Sequence, residues 1–187
     1  RTVRITNKRL FDEWARYYGE DSDFFRVRCL GEFPRAGDLQ FIDLDRIEAA
    51  MAREARFNPD DPLVMTVDVA RGGEDSNVIQ FRKGLDAKSY PVIRIPGEKT
   101  RDSMTLVSRI ADLAQQMGPD AIIVDETGVG GPIVDRLRQL GYNVLGVQFG
   151  AAAPTQTHLY ANFRAYMWAR LKEWLEQGAI KDHDDLK

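Results

Sequence analysis

The sequence of 187 residues is poor in two common metal ligands, with one cysteine, Cys29, and two histidines, His158 and His183. A single cysteine excludes a disulfide within the chain and a zinc site built from several cysteines. The two histidines lack the short spacing of a ligand pair, so we expect both at the surface. The apolar neighbours of Cys29 favour a buried side chain over a nucleophile. A metal site in this chain would therefore depend on oxygen ligands.

Three further absences narrow the class of protein. No apolar run approaches the roughly 18 residues that span a bilayer, and no GxxxxGK[ST] phosphate loop of an ATPase occurs. The formal net charge of −3 is not that of a strongly basic nucleic-acid-binding domain. An acidic active site beside a local basic surface would give the same balance, so charge alone excludes no DNA enzyme. The length predicts one medium domain with a smaller attachment.

The first part of the chain has the pattern of the attachment. Apolar residues at helical spacing predict a helix from Thr6 or Asn7 to Tyr18, ended by Gly19. Asp43 has the character of an N-cap for a second helix, which we expect to end near Arg56. The turn sequence NPDDP at 58–62 then indicates a boundary. We therefore divide the chain into residues 1–58 and a main domain over residues 59–187.

The main domain begins with strands and continues with alternating helices and strands. Residues 63–70 form a near-continuous apolar run, which predicts a central strand covered on both faces. Strands at 77–82 and 90–95 follow, and the proline in the third favours a sheet edge. The later pattern predicts a helix at 103–117, a strand at 121–125, a helix after 128–132, a strand at 142–149, and an aromatic-rich helix at 160–176 with Asn162 as an alternative start.

This order predicts an α/β fold of the ribonuclease H-like type. Its mixed sheet would contain three antiparallel strands and then two parallel strands, flanked by helices, with a small helical N-terminal attachment. In that arrangement the first and fourth strands are parallel neighbours. We expect the seven apolar and aromatic residues of the last helix, between Phe163 and Leu175, to be core rather than a base-stacking platform.

Two aspartates follow the strands that this fold would place side by side. Asp68 lies near the end of the first strand, and Asp125 is the last residue of the fourth. Their carboxylates would then emerge at one sheet edge, about one strand spacing (~5 Å) apart. Such a pair is favourable when a cation lies between its members, and hard oxygen ligands select Mg²⁺ or Mn²⁺. Two such ions suit the cleavage of a phosphodiester, although either aspartate alone is equally typical of a cap or turn.

Other polar residues near these strand ends are weaker candidates. Glu74 and Asp75 lie in the turn after the first strand, where they are either outer metal ligands or solvated turn residues. Glu126 should point to the opposite side of the chain from Asp125. Gly128, Gly130 and Gly131 precede a helix and can present backbone N–H groups to a phosphate. A basic face beside the site, or a solvated hairpin, is predicted from Arg71, Arg82, Lys83, Lys88 and Arg94.

The motifs around these residues resemble those of tailed-phage terminase large subunits. The resemblance rests on TVDVARGGEDSN at 66–77, IVDETGVGG at 123–131 with VDRL at 134–137, and ANFRAYMWARL at 161–171. It extends to YGEDSDFFRVR at 18–28 and GEFP at 31–34, which are similar to the junction between the motor and the nuclease. The resemblance covers almost the whole chain and implies a metal-dependent endonuclease that cuts concatemeric DNA during packaging.

The family resemblance also implies roles and partners. Asp68 and Asp125 match two members of the family's acidic triad. The candidate phosphate contacts Arg71 and Lys83 come from the local basic residues and not from the resemblance. The implied partners are double-stranded DNA, the ATPase domain of the full-length chain, the small terminase subunit and the portal, in the cytoplasm of a bacterial host. Residues 1–58 would hold the end of the motor region and its linker. The third acidic residue normally lies in a later helix, past an equivalent of residues 182–185, so we expect a domain truncated at its C-terminus.

Three alternatives stay open at the level of the sequence. One is another ribonuclease H-like nuclease, such as a junction resolvase or transposase, although residues 1–58 favour the packaging motor. The second is an actin-like or sugar-kinase nucleotide-binding domain, which also follows its first strand with an aspartate and a glycine turn. The third is a non-catalytic docking module with a vestigial acidic edge. ATP binding and metal-dependent stability would distinguish them.

Overall fold

A computed structural model describes residues 8–20, 22, 25, 29–30, 41–70, 75–155 and 158–182. The chain divides into two compact units, with the boundary between Glu48 and Ala49. The sequence boundary at residue 58 therefore falls inside the second unit, and the assignment of residues 1–58 to a motor junction stays a prediction. No helix among the described residues is long and apolar enough to cross a membrane.

The first unit contains the predicted N-terminal helix. Helix α1 spans Lys8–Tyr18, and Gly19 follows it with a φ of 80°, a left-handed conformation in which glycine ends helices at little cost. Cys29 is buried, as its apolar neighbours predict. Helix α2, Leu44–Ala52, starts in this unit and ends in the second. The Asp43 carboxylate accepts from the Arg46 N–H at 2.8 Å, which confirms the predicted cap.

Helix α2 ends earlier than its sequence predicts because side chains of the second unit bind the carbonyls at its end. The Lys88 ammonium donates to the carbonyls of Met51 and Arg53, at 2.5 and 3.0 Å. The Arg53 guanidinium in turn donates to the carbonyl of Leu175 at 3.0 Å. These contacts fix residues 51–53 against the main domain, and such long-range partners leave no periodic signal in the sequence.

The second unit contains the predicted mixed sheet. Its strands are β1 (Leu63–Asp68), β2 (Ser76–Lys83), β3 (Ile93–Pro96), β4 (Ala121–Asp125) and β5 (Val144–Val147). They are ordered β3-β2-β1-β4-β5, with β1 antiparallel to β2, β2 antiparallel to β3, and β1, β4 and β5 parallel. The edge position of β3 and the parallel pairing of β1 with β4 are confirmed. Strands β3 and β5 are shorter than their apolar runs.

Two helices cover one face of this sheet and complete the core. Helix α3 spans Ser103–Met117, and helix α4 spans Gly131–Gln139. The Asp102 carboxylate caps α3 by accepting from the Met104 N–H at 2.9 Å. The core cluster combines alternate strand residues with one face of each helix: Met65, Val67, Ile79, Phe81, Ile122, Val124, Leu106, Ile110, Ile133, Val134 and Leu137. We call this side of the sheet the core face and the other side the open face.

The open face is less covered than the apolar runs of β1 and β4 predict. Thr66 and Ile123 are half-buried and Asp68 is exposed, whereas Val64 on the same face is buried, so the predicted cover of this face is only partial. Helix α5 (Phe163–Trp174) starts at the predicted alternative, where the Asn162 side chain accepts from the Ala165 N–H at 3.0 Å. At the other end of α5, Trp174 stacks on Arg82, a residue of the open face.

The prediction that the apolar residues of α5 are core is correct only in part. Leu175 is buried, but Met167, Trp168 and Leu171 are 37%, 52% and 38% exposed. Helical spacing gives the direction of each side chain on its own helix. It does not say which of those directions another element covers, and that depends on how the helix lies on the sheet.

Candidate metal and nucleic-acid site

The register of the sheet brings Asp68 and Asp125 together at one end of the open face. Val67 pairs with Val124 in the parallel ladder, and both are buried on the core face. The next residue along each strand is an aspartate. Since successive side chains point to opposite faces, both carboxylates lie on the open face, about one strand spacing (~5 Å) apart. Asp68 is exposed and Asp125 is half-buried, so a solvated ion has access to both.

The chain turns sharply after Asp125, and a glycine makes this turn possible. The Asp125 carboxylate accepts from the Thr127 N–H at 2.9 Å, which orients the side chain and occupies one of its oxygens. A Cβ on Gly130 would collide with the carbonyl oxygen of Asp125. The first turn of α4 therefore packs directly on the end of β4. Gly128 has a φ of 76°, a left-handed conformation that glycine adopts at little cost. The phosphate contacts of Gly128, Gly130 and Gly131 stay a prediction.

The neighbouring acidic residues have different surroundings. The Glu126 carboxylate lies over Gly146, whose partner Val124 is on the core face, so Glu126 does point away from Asp125. Asp75 is exposed at the start of β2, and its carbonyl accepts from the Gly97 N–H at 2.8 Å. Its assignment as an outer metal ligand stays a prediction. Glu74 lies outside the described residues.

The two aspartates provide the donor chemistry that a hard divalent cation prefers, but no complete ligand set. Within the described ranges, no group of three or more Asp, Glu, His or Cys side chains is arranged to hold one ion. His158 is exposed, as expected, while His183 and residues 184–185 lie outside those ranges. Two carboxylate ligands plus water are a normal minimum for Mg²⁺, so the pair fits such an ion.

The predicted basic face does not assemble as a whole beside the carboxylates. Lys83 is opposite Leu63, at the far end of β1, roughly 17 Å along the strand from Asp68. Its ammonium lies 4.9 Å from the centre of the Phe57 ring, and the neighbouring Arg82 donates to the Gly84 carbonyl. These two bases therefore lie toward the other end of β1 from the carboxylates, and a phosphate contact of Lys83 stays a prediction. Arg71 lies outside the described residues.

One residue near the site was not recognised from its sequence context. Asn77 is 1% exposed, and its side chain makes three hydrogen bonds. Its oxygen accepts from the Ala70 N–H at 3.0 Å, and its amide donates to the Ile95 carbonyl at 3.3 Å and the Thr100 hydroxyl at 2.7 Å. Asn77 has the same strand phase as the buried Ile79. The sequence signal for this buried role is a polar residue at a strand position that alternation assigns to the apolar face.

The sequence is similar to that of a phage terminase large subunit. No protein-family model matches the chain. The chain is 23% identical over 176 residues to a probable terminase large subunit of Enterobacteria phage P7, a match that covers 89% of this chain and 36% of that protein. The chain thus spans about a third of the length of this curated relative.

Solved structures of terminase nucleases have the same fold. The nuclease domain of the large terminase subunit of bacterial virus Sf6 matches with a TM-score of 0.57 and 19% identity, over 72% of this chain and 64% of that one. A variant of that domain solved with manganese matches at 0.55 and 16%, over 78% and 76%. The nuclease of thermophilic phage G20c with bound magnesium matches at 0.50 and 17%, over 70% and 64%.

These findings confirm both the fold and the family resemblance that the motifs indicate. The mixed five-stranded sheet is that of the ribonuclease H-like terminase nucleases, and the sequence is similar to a terminase large subunit.

Proposed function

We propose that this chain is the nuclease module of a terminase large subunit and cuts double-stranded DNA with Mg²⁺ or Mn²⁺ held by Asp68 and Asp125. The single observation that carries the proposal is their position at matching ends of two parallel strands, on the accessible face. Parallel strand ends are where open α/β sheets build their sites. The terminase nuclease fold around this pair favours DNA cleavage over the actin-like alternative.

Each residue at the site would have a separate role in cleavage. Asp68 and Asp125 bind the cation, and the Thr127 N–H keeps Asp125 oriented by occupying one carboxylate oxygen. A bound divalent ion supplies the charge that activates water and stabilises the leaving oxygen of a phosphodiester. Gly130 allows the start of α4 to approach the site, so that backbone N–H groups there are close to the DNA strand. The third ligand stays a prediction, as do the packaging partners.

The proposal is tested by cleavage and by metal binding, measured separately. We expect supercoiled plasmid to be nicked with Mn²⁺ or Mg²⁺ and to stay intact in EDTA. Asp68→Ala and Asp125→Ala should each abolish nicking and weaken Mn²⁺ binding in calorimetry by at least tenfold. Asp112→Ala is the matched control, because Asp112 is an exposed aspartate on α3, on the opposite side of the sheet.

The two measurements separate the parts of the proposal. Mn²⁺ binding that both site variants lose, without any nicking, would support the metal site and contradict cleavage by this chain. Mn²⁺ binding that neither variant changes would contradict the site itself. ATP binding in place of metal-dependent cleavage would favour the actin-like alternative.

A further inference from the structure

Arg94 lies in the same row of the sheet as the two aspartates. Asp68 pairs with Val78, and Val78 pairs with Arg94, so the row continues from β4 across β1 and β2 to the edge strand β3. Directly paired residues share a face, which places Arg94 on the open face together with Asp68 and Asp125. Two strand spacings, roughly 10 Å, separate the backbones of Asp68 and Arg94. Arg94 is exposed.

We propose that Arg94 binds the DNA backbone next to the phosphodiester held at Asp68 and Asp125. The inference rests on the proposed function and adds the residue that positions the strand. Two carboxylates repel a polyanion, so DNA can approach this edge only where cations compensate. A guanidinium suits this task, because its planar set of donors binds two phosphate oxygens at once.

The other predicted bases that the structure describes do not occupy this position. Arg82 pairs with Val64, four residues before Asp68 on β1, and Lys88 follows the end of β2. Lys83 lies at the opposite end of β1. Among the four bases of the predicted basic face that lie in the described part of the chain, Arg94 is thus the one in the aspartate row.

The row is held by a buried hydrogen-bond hub. Asn77 accepts from the Ala70 N–H, two residues after Asp68, and donates to the carbonyl of Ile95, the residue after Arg94. The Asn77 side chain thus connects the segment after Asp68 to the segment after Arg94. Because Asn77 is almost fully buried, the hub keeps the distance between the backbones of Asp68 and Arg94 nearly constant. A constant distance suits the recognition of successive phosphates on one strand.

The test is the salt dependence of DNA binding in EDTA, which does not require catalysis. A fluorescent 30-base-pair duplex is titrated with the 187-residue chain at several salt concentrations. Arg94→Ala should weaken binding and reduce the slope of log K against log salt by about 1, the value for one lost phosphate contact. Arg94→Lys should keep the slope. Arg109→Ala, an exposed charge on α3, should match the parent chain. Thermal midpoints of all variants check folding.

The outcomes separate this inference from the proposed function. An unchanged slope in Arg94→Ala would overturn the role of Arg94, even if the plasmid and Mn²⁺ experiments succeed. A reduced slope in Arg94→Ala but not in Arg109→Ala would support it, even if this chain does not cut. Equal loss in both variants would show a general charge effect and would also overturn the proposal, as would a parent chain that binds no DNA at low salt.

Discussion

The hydrogen-bond hub of Asn77 makes a quantitative prediction about stability. Replacing Asn77 by Ala removes three hydrogen bonds and leaves the Ala70 N–H, the Ile95 carbonyl and the Thr100 hydroxyl without this partner. A hydrogen bond contributes about 0.5–1.5 kcal/mol net, and a buried group left unpaired costs about 1–3 kcal/mol. We therefore expect Asn77→Ala to lower the free energy of unfolding by about 2–4 kcal/mol. Typical domains have only about 5–15 kcal/mol in total.

Guanidinium chloride unfolding at equilibrium, followed by tryptophan fluorescence, measures this change. For a chain of this size the same loss lowers the melting temperature by roughly 4–16 °C. Asn143→Ala is the matched control, because the Asn143 side chain donates one hydrogen bond, to the Asp120 carbonyl, in an exposed position. We expect that variant to lose less than about 1 kcal/mol.

A local measurement shows whether the loss occurs at the hub. The Ala70 N–H should exchange with solvent faster in Asn77→Ala than in Asn143→Ala, because its acceptor is the Asn77 side chain. Equal destabilisation by the two substitutions, within about 0.5 kcal/mol, would refute the reasoning, since a hub with three buried bonds must cost more than one exposed bond. Unchanged protection of the Ala70 amide would refute its location.

Substitutions at three other positions test separate parts of the structure. Gly130→Ala should lower the free energy of unfolding by about 1–3 kcal/mol in chemical denaturation and weaken Mn²⁺ binding, because the new Cβ collides with the Asp125 carbonyl. Unchanged stability and unchanged Mn²⁺ binding would contradict the close packing. Asp86→Ala should cost about 2 kcal/mol, because one oxygen accepts two backbone N–H bonds. Asp86→Asn should cost less, because the other oxygen is buried and has no hydrogen-bond partner within the described part of the chain. The reverse order of the two variants would exclude this explanation. Asp102→Ala should lose about 1 kcal/mol of cap energy, measured by thermal unfolding, and no loss would mean that the cap is unimportant.

The fold and the candidate metal site depend on different features of the chain. Many folds bury a sheet under two helices, and the buried residues of this core face, such as Ile79 and Leu137, serve packing alone. The aspartates depend on the register between strands that are distant in sequence. A shift of β4 by one residue would move Asp125 to the core face, so the buried Val67–Val124 pair is what keeps both carboxylates accessible.

Sequence patterns alone predict the elements of the sheet, its topology and the two aspartates. These follow from local signals: the apolar runs before Asp68 and Asp125, the caps Asp43 and Asn162, and the proline beside β3. Each of these signals depends only on neighbouring residues, so it can be recognised in a single sequence.

The side chains that share a face and a row are known only from the folded chain. It separated Arg94, in the aspartate row, from Lys83, at the far end of β1, although the sequence predicts both as bases of one hairpin face. It made Asn77 a buried hub and left Trp168 exposed, although the sequence predicts the apolar residues of that helix as core. The reason is physical: burial and pairing depend on what packs against a residue from elsewhere in the chain, and periodicity describes only its own element.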